Sequence, residues 1–140
     1  MEVRKERTGW RDEELSRRHR MWGWDCPALD IDFLLLEYDK GKPVAIIEYK
    51  NENAAPQYPN HPSYRALIDL GNRANIPVIA FRYATDFSKF TVTPLNRLAF
   101  NFVQTKKKEM NEENYLKLLY QMRGKNDVPQ EVLNNIGVVL

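Results

Sequence analysis

The sequence predicts an α/β fold of the mixed, α+β kind: a central mixed β-sheet built on a core antiparallel hairpin and flanked by helices. Three observations carry this. The chain has 140 residues, 43% of them hydrophobic and 29% charged, which is the size and balance of one folded unit with one core. Two apolar runs are separated by a tight-turn sequence, Asp39-Lys40-Gly41, and that is a hairpin signature. Segments of helical and strand periodicity then follow one another in the order expected of a sheet covered by helices. One domain over 1–140 is expected, with its core over about 10–95 and a helical extension over about 104–140.

Residues 10–22 (WRDEELSRRHRMW) contain good helix formers, with Asp12, Glu13 and Glu14 early and Arg17, Arg18 and Arg20 late. This charge order complements the helix macrodipole, and a first helix is expected. Asp25, Cys26 and Pro27 break it. Residues 30–38 (DIDFLLLEY) are too short and too apolar for a surface helix and read as a mostly buried strand. Gly41 supplies the positive φ of a three-residue loop, and the run PVAIIEYK returns as the second strand. A loop with three prolines leads to a helix near Ser63 to Arg73, with Tyr64, Leu67, Ile68 and Gly71 at helical spacing. PVIAFRY (77–83) and KFTVT (89–93) give two further strands. A last helix is capped by Asn111, carries Tyr115, Leu118, Leu119 and Met122 on one side, and stops at Gly124.

No apolar run exceeds four residues, as in Phe33 to Leu36, and the first twenty residues are densely charged. With a mean hydropathy of -0.60, neither a transmembrane helix nor a signal peptide is expected, and no membrane partner. Cys26 is the single cysteine, and His19 and His61 are the only histidines. A disulfide framework and structural zinc are therefore not expected, and a reducing, cytoplasmic setting suits the chain. The net charge of +2 conceals an acidic centre between basic flanks: residues 25–52 carry seven acidic and three basic groups, residues 61–98 two and five, residues 104–125 three and six. Converging flanks would hold a polyanion, while an acidic centre would hold cations. A basic run such as Lys106-Lys107-Lys108 is also an ordinary solvated face.

The hairpin register brings the chemistry together. A three-residue loop at 39–41 pairs Tyr38 with Lys42, Leu36 with Val44, Leu34 with Ile46, Asp32 with Glu48 and Asp30 with Lys50. Cβ atoms so opposed lie about 4.5–5.5 Å apart. Two carboxylates that close repel unless one is protonated or a cation lies between them. A hard divalent ion with few protein ligands and several waters is Mg²⁺ rather than zinc, and Mn²⁺ substitutes for it. Lys50, two residues after Glu48, shares its face and can orient a water or neutralise charge developing at phosphorus. A Glu-x-Lys triplet alone carries little weight; three charges interrupting two apolar strands at one register carry more. A surface ion-pair cluster at a frayed hairpin end is the plain alternative.

The segment ALDIDFLLLEYDKGKPVAIIEYK resembles the core hairpin of the PD-(D/E)XK nuclease superfamily, in which an aspartate opens one strand and a (D/E)-x-K ends the next. The resemblance spans roughly residues 10–95. It implies a restriction-endonuclease-like core, Mg²⁺-dependent cleavage of DNA, Asp32 and Glu48 as metal ligands with the Tyr49 carbonyl as a third, and Lys50 serving the water. The sequence departs from the pattern in having no proline before Asp32, Pro27 being five residues away. Asp30 shares a face with Asp32 and stays open as the motif aspartate and metal ligand; Asp32 is preferred because it lies deeper in the strand. A helical Gln and Tyr four apart, present in some branches, is not matched, since His61 follows Gln57 at that distance. An acid of the first helix is a further ligand in some branches, which Glu13 or Glu14 would match; a solvated first-turn acid is the simpler reading of either.

Arg82, ending a strand beside the hairpin, is a candidate phosphate clamp. Tyr64 and Arg65 open a helix whose N-terminus can receive a phosphate. His19 reads as a base or phosphate contact or, more simply, as a helix surface residue. Trp10, Trp22 and Trp24 read as base-stacking groups or, more simply, as core. Asn96 and Arg97 have no assigned role. The leading expectation is a metal-dependent DNA endonuclease, structure-selective or weakly sequence-selective, working as a homodimer with the last helix as one choice of seam, although packing of that helix on its own sheet is the simpler reading. The alternatives are an inactive nucleic-acid- or protein-binding module of the same fold, and a plain structural protein.

Overall fold

The computed structural model describes residues 13–55, 58 and 60–137, so Trp10 and Gln57 lie outside the described residues. The chain divides into two compact units, Met1–Asp30 and Ile31–Leu140. In the first, helix α1 (Glu13–Trp22) forms as its charge order dictates, with Glu14 ion-paired to Arg17 at 2.8 Å and Arg18 at 3.0 Å. His19 packs edge-on against Trp22. Trp22 and Trp24 are exposed, so the core reading of these two tryptophans is corrected; α1 buries no residue.

The second unit is a five-stranded mixed sheet of order β1-β2-β3-β4-β5, with β1 (Phe33–Glu37), β2 (Lys42–Asn51), β3 (Val78–Tyr83), β4 (Phe90–Pro94) and β5 (Lys108–Met110). Neighbours are antiparallel except β2 and β3, which run parallel through helix α2 (Pro62–Ala74). Helices α3 (Arg97–Val103), α4 (Glu112–Met122) and α5 (Gln130–Leu133) complete it. Among the described residues no helix is long and apolar enough to cross a membrane.

Each sheet face buries its own cluster. Ile46, Leu67, Ile76 and Val78 lie together on the α2 side. Ala45, Ile47, Ile79, Phe81, Phe90 and Val92 form the larger cluster with Ala99 and Val103 of α3 and Tyr115, Leu118 and Met122 of α4. The larger cluster takes in residues from the stretch after 95, and the apolar stripe of α4 is spent on its own sheet. That is the simpler of the two readings of this helix.

Asp25, Cys26 and Pro27 end α1 as expected, but the strand expected over 30–38 is shorter and is not buried. Strand β1 lies at the sheet edge, with Phe33, Leu34 and Leu36 exposed. Helix α2 matches its signals: the His61 imidazole accepts from the Ser63 N–H at 3.1 Å, Pro62 fills the first turn, and Asn75 closes it at φ 58°. Gly71 packs so closely on β3 that a Cβ would stand 2.2 Å from Val78 Cγ2. The unassigned Asn96 proves structural. Its buried side chain accepts from the N–H groups of Val78 and Ala99, both at 3.0 Å, and donates to the Ile76 carbonyl at 2.9 Å.

Candidate functional site

The site is built where β1 begins and β2 ends. Phe33 pairs with Ile47 and Leu34 with Ile46, so the ladder delivers Asp32 to the level of Glu48, as the hairpin register requires. The turn itself differs from expectation. It spans Tyr38–Lys40 and Gly41, the last at φ 58°, and is one residue longer than a 39–41 loop. Leu36 therefore meets Pro43 rather than Val44, and a bulge at the Leu35/Leu36 step restores the register before the site. Asp30 lies in the first unit, before the start of the ladder, and is exposed.

Side-chain alternation divides the end of β2. Glu48 and Lys50 follow Ile46 on the α2 face, with Ala80 and Arg82 their register partners on β3. Tyr49 turns to the opposite face, where its ring packs edge-on to Phe33 and Phe81 and its hydroxyl meets that of Tyr115 at 2.7 Å. Burial pushes both phenols' pKa values up and keeps them neutral, so this anchor is a hydrogen bond between phenols. It fixes the backbone between Glu48 and Lys50.

The Ile46 N–H bonds to the Pro77 carbonyl, so even-numbered backbone groups of β2 point toward β3 and odd-numbered ones toward β1. The Tyr49 N–H accordingly donates to Asp32 Oδ2 at 3.1 Å. By the same alternation its carbonyl is directed to the β1 edge of the strand. Asp32 is thus held by backbone rather than by a basic side chain.

Glu48 is the unusual group. Its residue is 7% exposed, and Oε2 has no hydrogen-bond partner. Desolvation raises its pKa from 4.5 to about 7, reinforced by the negative charge of Asp32 and a hydrogen bond shared with it, and opposed by the Lys50 ammonium. Such a pair takes a proton or a cation between its members. Tyr64, from the first turn of α2, is buried; its phenol pKa is raised first by burial, then by Glu48 and Asp32, while Arg82 lowers it.

Arg82 is at the site but engaged. Its Nη1 donates to the Asn51 and Ala54 carbonyls at 3.1 Å, and its Nη2 donates to Ala54 at 2.8 Å. The fork fastens the turn that follows β2. Arg65 is exposed on α2. Of the residues singled out, the structure brings together Asp32, Glu48, Tyr49, Lys50, Tyr64 and Arg82. Glu14 is ion-paired within α1. Tyr64, which the sequence offers as a helix-terminus phosphate contact, is a buried side chain whose phenol senses the charges of Glu48 and Asp32.

Among the described residues no group of three or more His, Cys, Asp or Glu side chains could hold a metal ion. Two carboxylates and a main-chain carbonyl remain as candidates, a hard oxygen set without the nitrogen or sulfur donors that favour zinc, of the type that suits a cation keeping most of its waters. The unpartnered Glu48 oxygen beside Asp32 is the position such a cation would fill. Compared with known proteins, the chain matches no family model, no curated protein and no solved structure.

Proposed function

We propose that the chain is a metal-dependent nuclease of the PD-(D/E)XK kind that hydrolyses phosphodiester bonds in DNA. The observation that carries this reading is the Glu48 carboxyl, buried beside Asp32 with one oxygen unpartnered. Holding the buried Glu48 carboxyl beside a second acid, the exposed Asp32, costs stability that packing alone gives no reason to bear. Asp32, Glu48 and the Tyr49 carbonyl would hold Mg²⁺, or Mn²⁺ in its place. The ion would polarise a phosphoryl oxygen and lower the pKa of a water.

The remaining parts belong to the chain. Lys50, on the Glu48 face and unable to leave a rigid strand, orients the attacking water and offsets the charge that builds at phosphorus. Water adds to phosphorus, the ester oxygen leaves with a proton, and a phosphomonoester and a hydroxyl end result. Tyr64 is buried close enough to both carboxylates to sense their charge. Arg82 acts as a positioning residue, fixing the 51–54 rim through main-chain carbonyls.

The test is incubation of the chain with supercoiled and branched DNA in Mg²⁺ and in EDTA. The proposal expects cleavage with the metal only, lost in Glu48→Ala and Lys50→Ala variants that keep the wild-type circular dichroism. DNA binding of equal strength in EDTA, with no cleavage in Mg²⁺, would identify a binding module instead.

A further inference from the structure

The two edges of the sheet are built differently. Strand β5 has three residues, Lys108-Glu109-Met110, and its Glu109 is ion-paired with Lys89, which precedes β4; a short, charged edge resists further pairing. Strand β1 has five residues, FLLLE, without proline. Its one charged residue, Glu37, is buried against Arg123 and gives the edge no protection. Ile31, Phe33, Leu34 and Leu36 are each 37–42% exposed. Among the described residues no strand pairs with the outer side of β1.

The backbone of that side is also available. Phe33 and Leu35 lie opposite Ile47 and Ala45, whose backbone groups point toward β1, so their own point inward. By alternation the N–H and C=O of Leu34 point outward. From this we infer that β1 is a dimer interface, on which a second copy of this chain places its own β1 antiparallel about a two-fold axis at Leu34.

The sequence of the edge complements itself. On such an axis Leu34 meets Leu34, Phe33 meets Leu35, and Asp32 meets Leu36 of the other copy, so no like charges oppose one another and an aromatic-aliphatic pair flanks the axis. Each copy covers the same unpaired edge that it brings, and a closed two-fold pair leaves only the guarded β5 edges. A two-fold axis perpendicular to the sheet keeps equivalent faces together. The two Asp32 residues then stand four positions apart, about 13 Å along the strands, with both Glu48 sites opening on one face. The value of that spacing for cutting a duplex rests on the nuclease reading; the dimer does not.

Sedimentation velocity of the full 140-residue chain over a wide range of concentration tests this without measuring cleavage. The mass is expected to rise from 16.5 kDa toward twice that, and Leu34→Lys and Leu36→Lys are expected to stay monomeric at every concentration. Amide exchange at Leu34 in the wild type, slowing as concentration rises, gives the same answer without a variant. A wild type monomeric throughout, with Leu34 exchange independent of concentration, overturns the inference; so does a dimer that both substitutions leave intact, or open-ended association in place of a closed pair.

Discussion

Replacing Glu48 with glutamine in the metal-free protein should remove a pH dependence of stability that the wild type carries. The carboxyl has a pKa of about 7 in the folded chain against 4.5 ordinarily, because it is desolvated and lies beside Asp32. Between those values the folded state binds the proton more tightly than the unfolded state does. Its contribution to stability is therefore complete below the unfolded pKa and is lost as pH rises through the folded pKa. A shift of this size corresponds to about 3 kcal/mol, or roughly 10 °C in melting temperature for a domain of this length. The substituted amide mimics the protonated acid and cannot ionise. Urea or thermal unfolding of both proteins in EDTA should give nearly equal stabilities at about pH 4, with the variant ahead by up to about 3 kcal/mol at about pH 8. A difference that stays flat across this range, or that favours the wild type as pH rises, would refute the argument that Glu48 is desolvated beside a second acid.

Three further outcomes test the supporting structure. Asn96→Ala should destabilise by about 2–4 kcal/mol in urea unfolding, because it strips partners from the buried Val78 and Ala99 N–H groups and the Ile76 carbonyl together; a change within experimental error would count against that network. Gly71→Ala, although alanine is the better helix former by about 1 kcal/mol, should lower the melting temperature, since its Cβ would stand 2.2 Å from Val78 Cγ2. Arg82→Lys should speed proteolysis and amide exchange over residues 51–55 at a cost of about 1–2 kcal/mol, because an ammonium cannot hold the Asn51 and Ala54 carbonyls with a fork; unchanged exchange there would mean that the turn holds itself.

Much of this arrangement was legible because it depends on local chemistry. Asn111 and Gly124 mark the ends of α4, and Asn111 does accept from the Asn114 N–H. The Leu34–Ile46 register was legible too, but through offsetting errors: the turn is one residue longer than Asp39-Lys40-Gly41 implies, and the bulge takes up that residue. The apolar run Phe33 to Leu36 read as buried because periodicity reports side-chain character and does not say whether a strand has neighbours on one side or two. Arg82 reads as a phosphate clamp because a strand-end arginine has that chemistry, while the Asn-rich turn at 51–54, closed by the Asn51 side chain on the Asn53 N–H, does not announce that its carbonyls will take up the guanidinium. Helix α3 escaped notice although Asn96 caps it through the Ala99 N–H. Its seven residues are too few for a periodic pattern to stand out. Strand β5 was hidden inside a run of lysines that resembles solvated surface.

The ability of the acid pair to hold a divalent ion can be measured without nucleic acid. Titration of Mn²⁺ into the chain at neutral pH, followed by the loss of free-ion electron paramagnetic resonance signal, should show one saturable site that Mg²⁺ displaces. Glu48→Gln and Asp32→Asn should each abolish it, while Lys50→Ala should leave it in place. No saturable binding in the wild type, or binding that persists when either acid is neutralised, would contradict the account at its foundation.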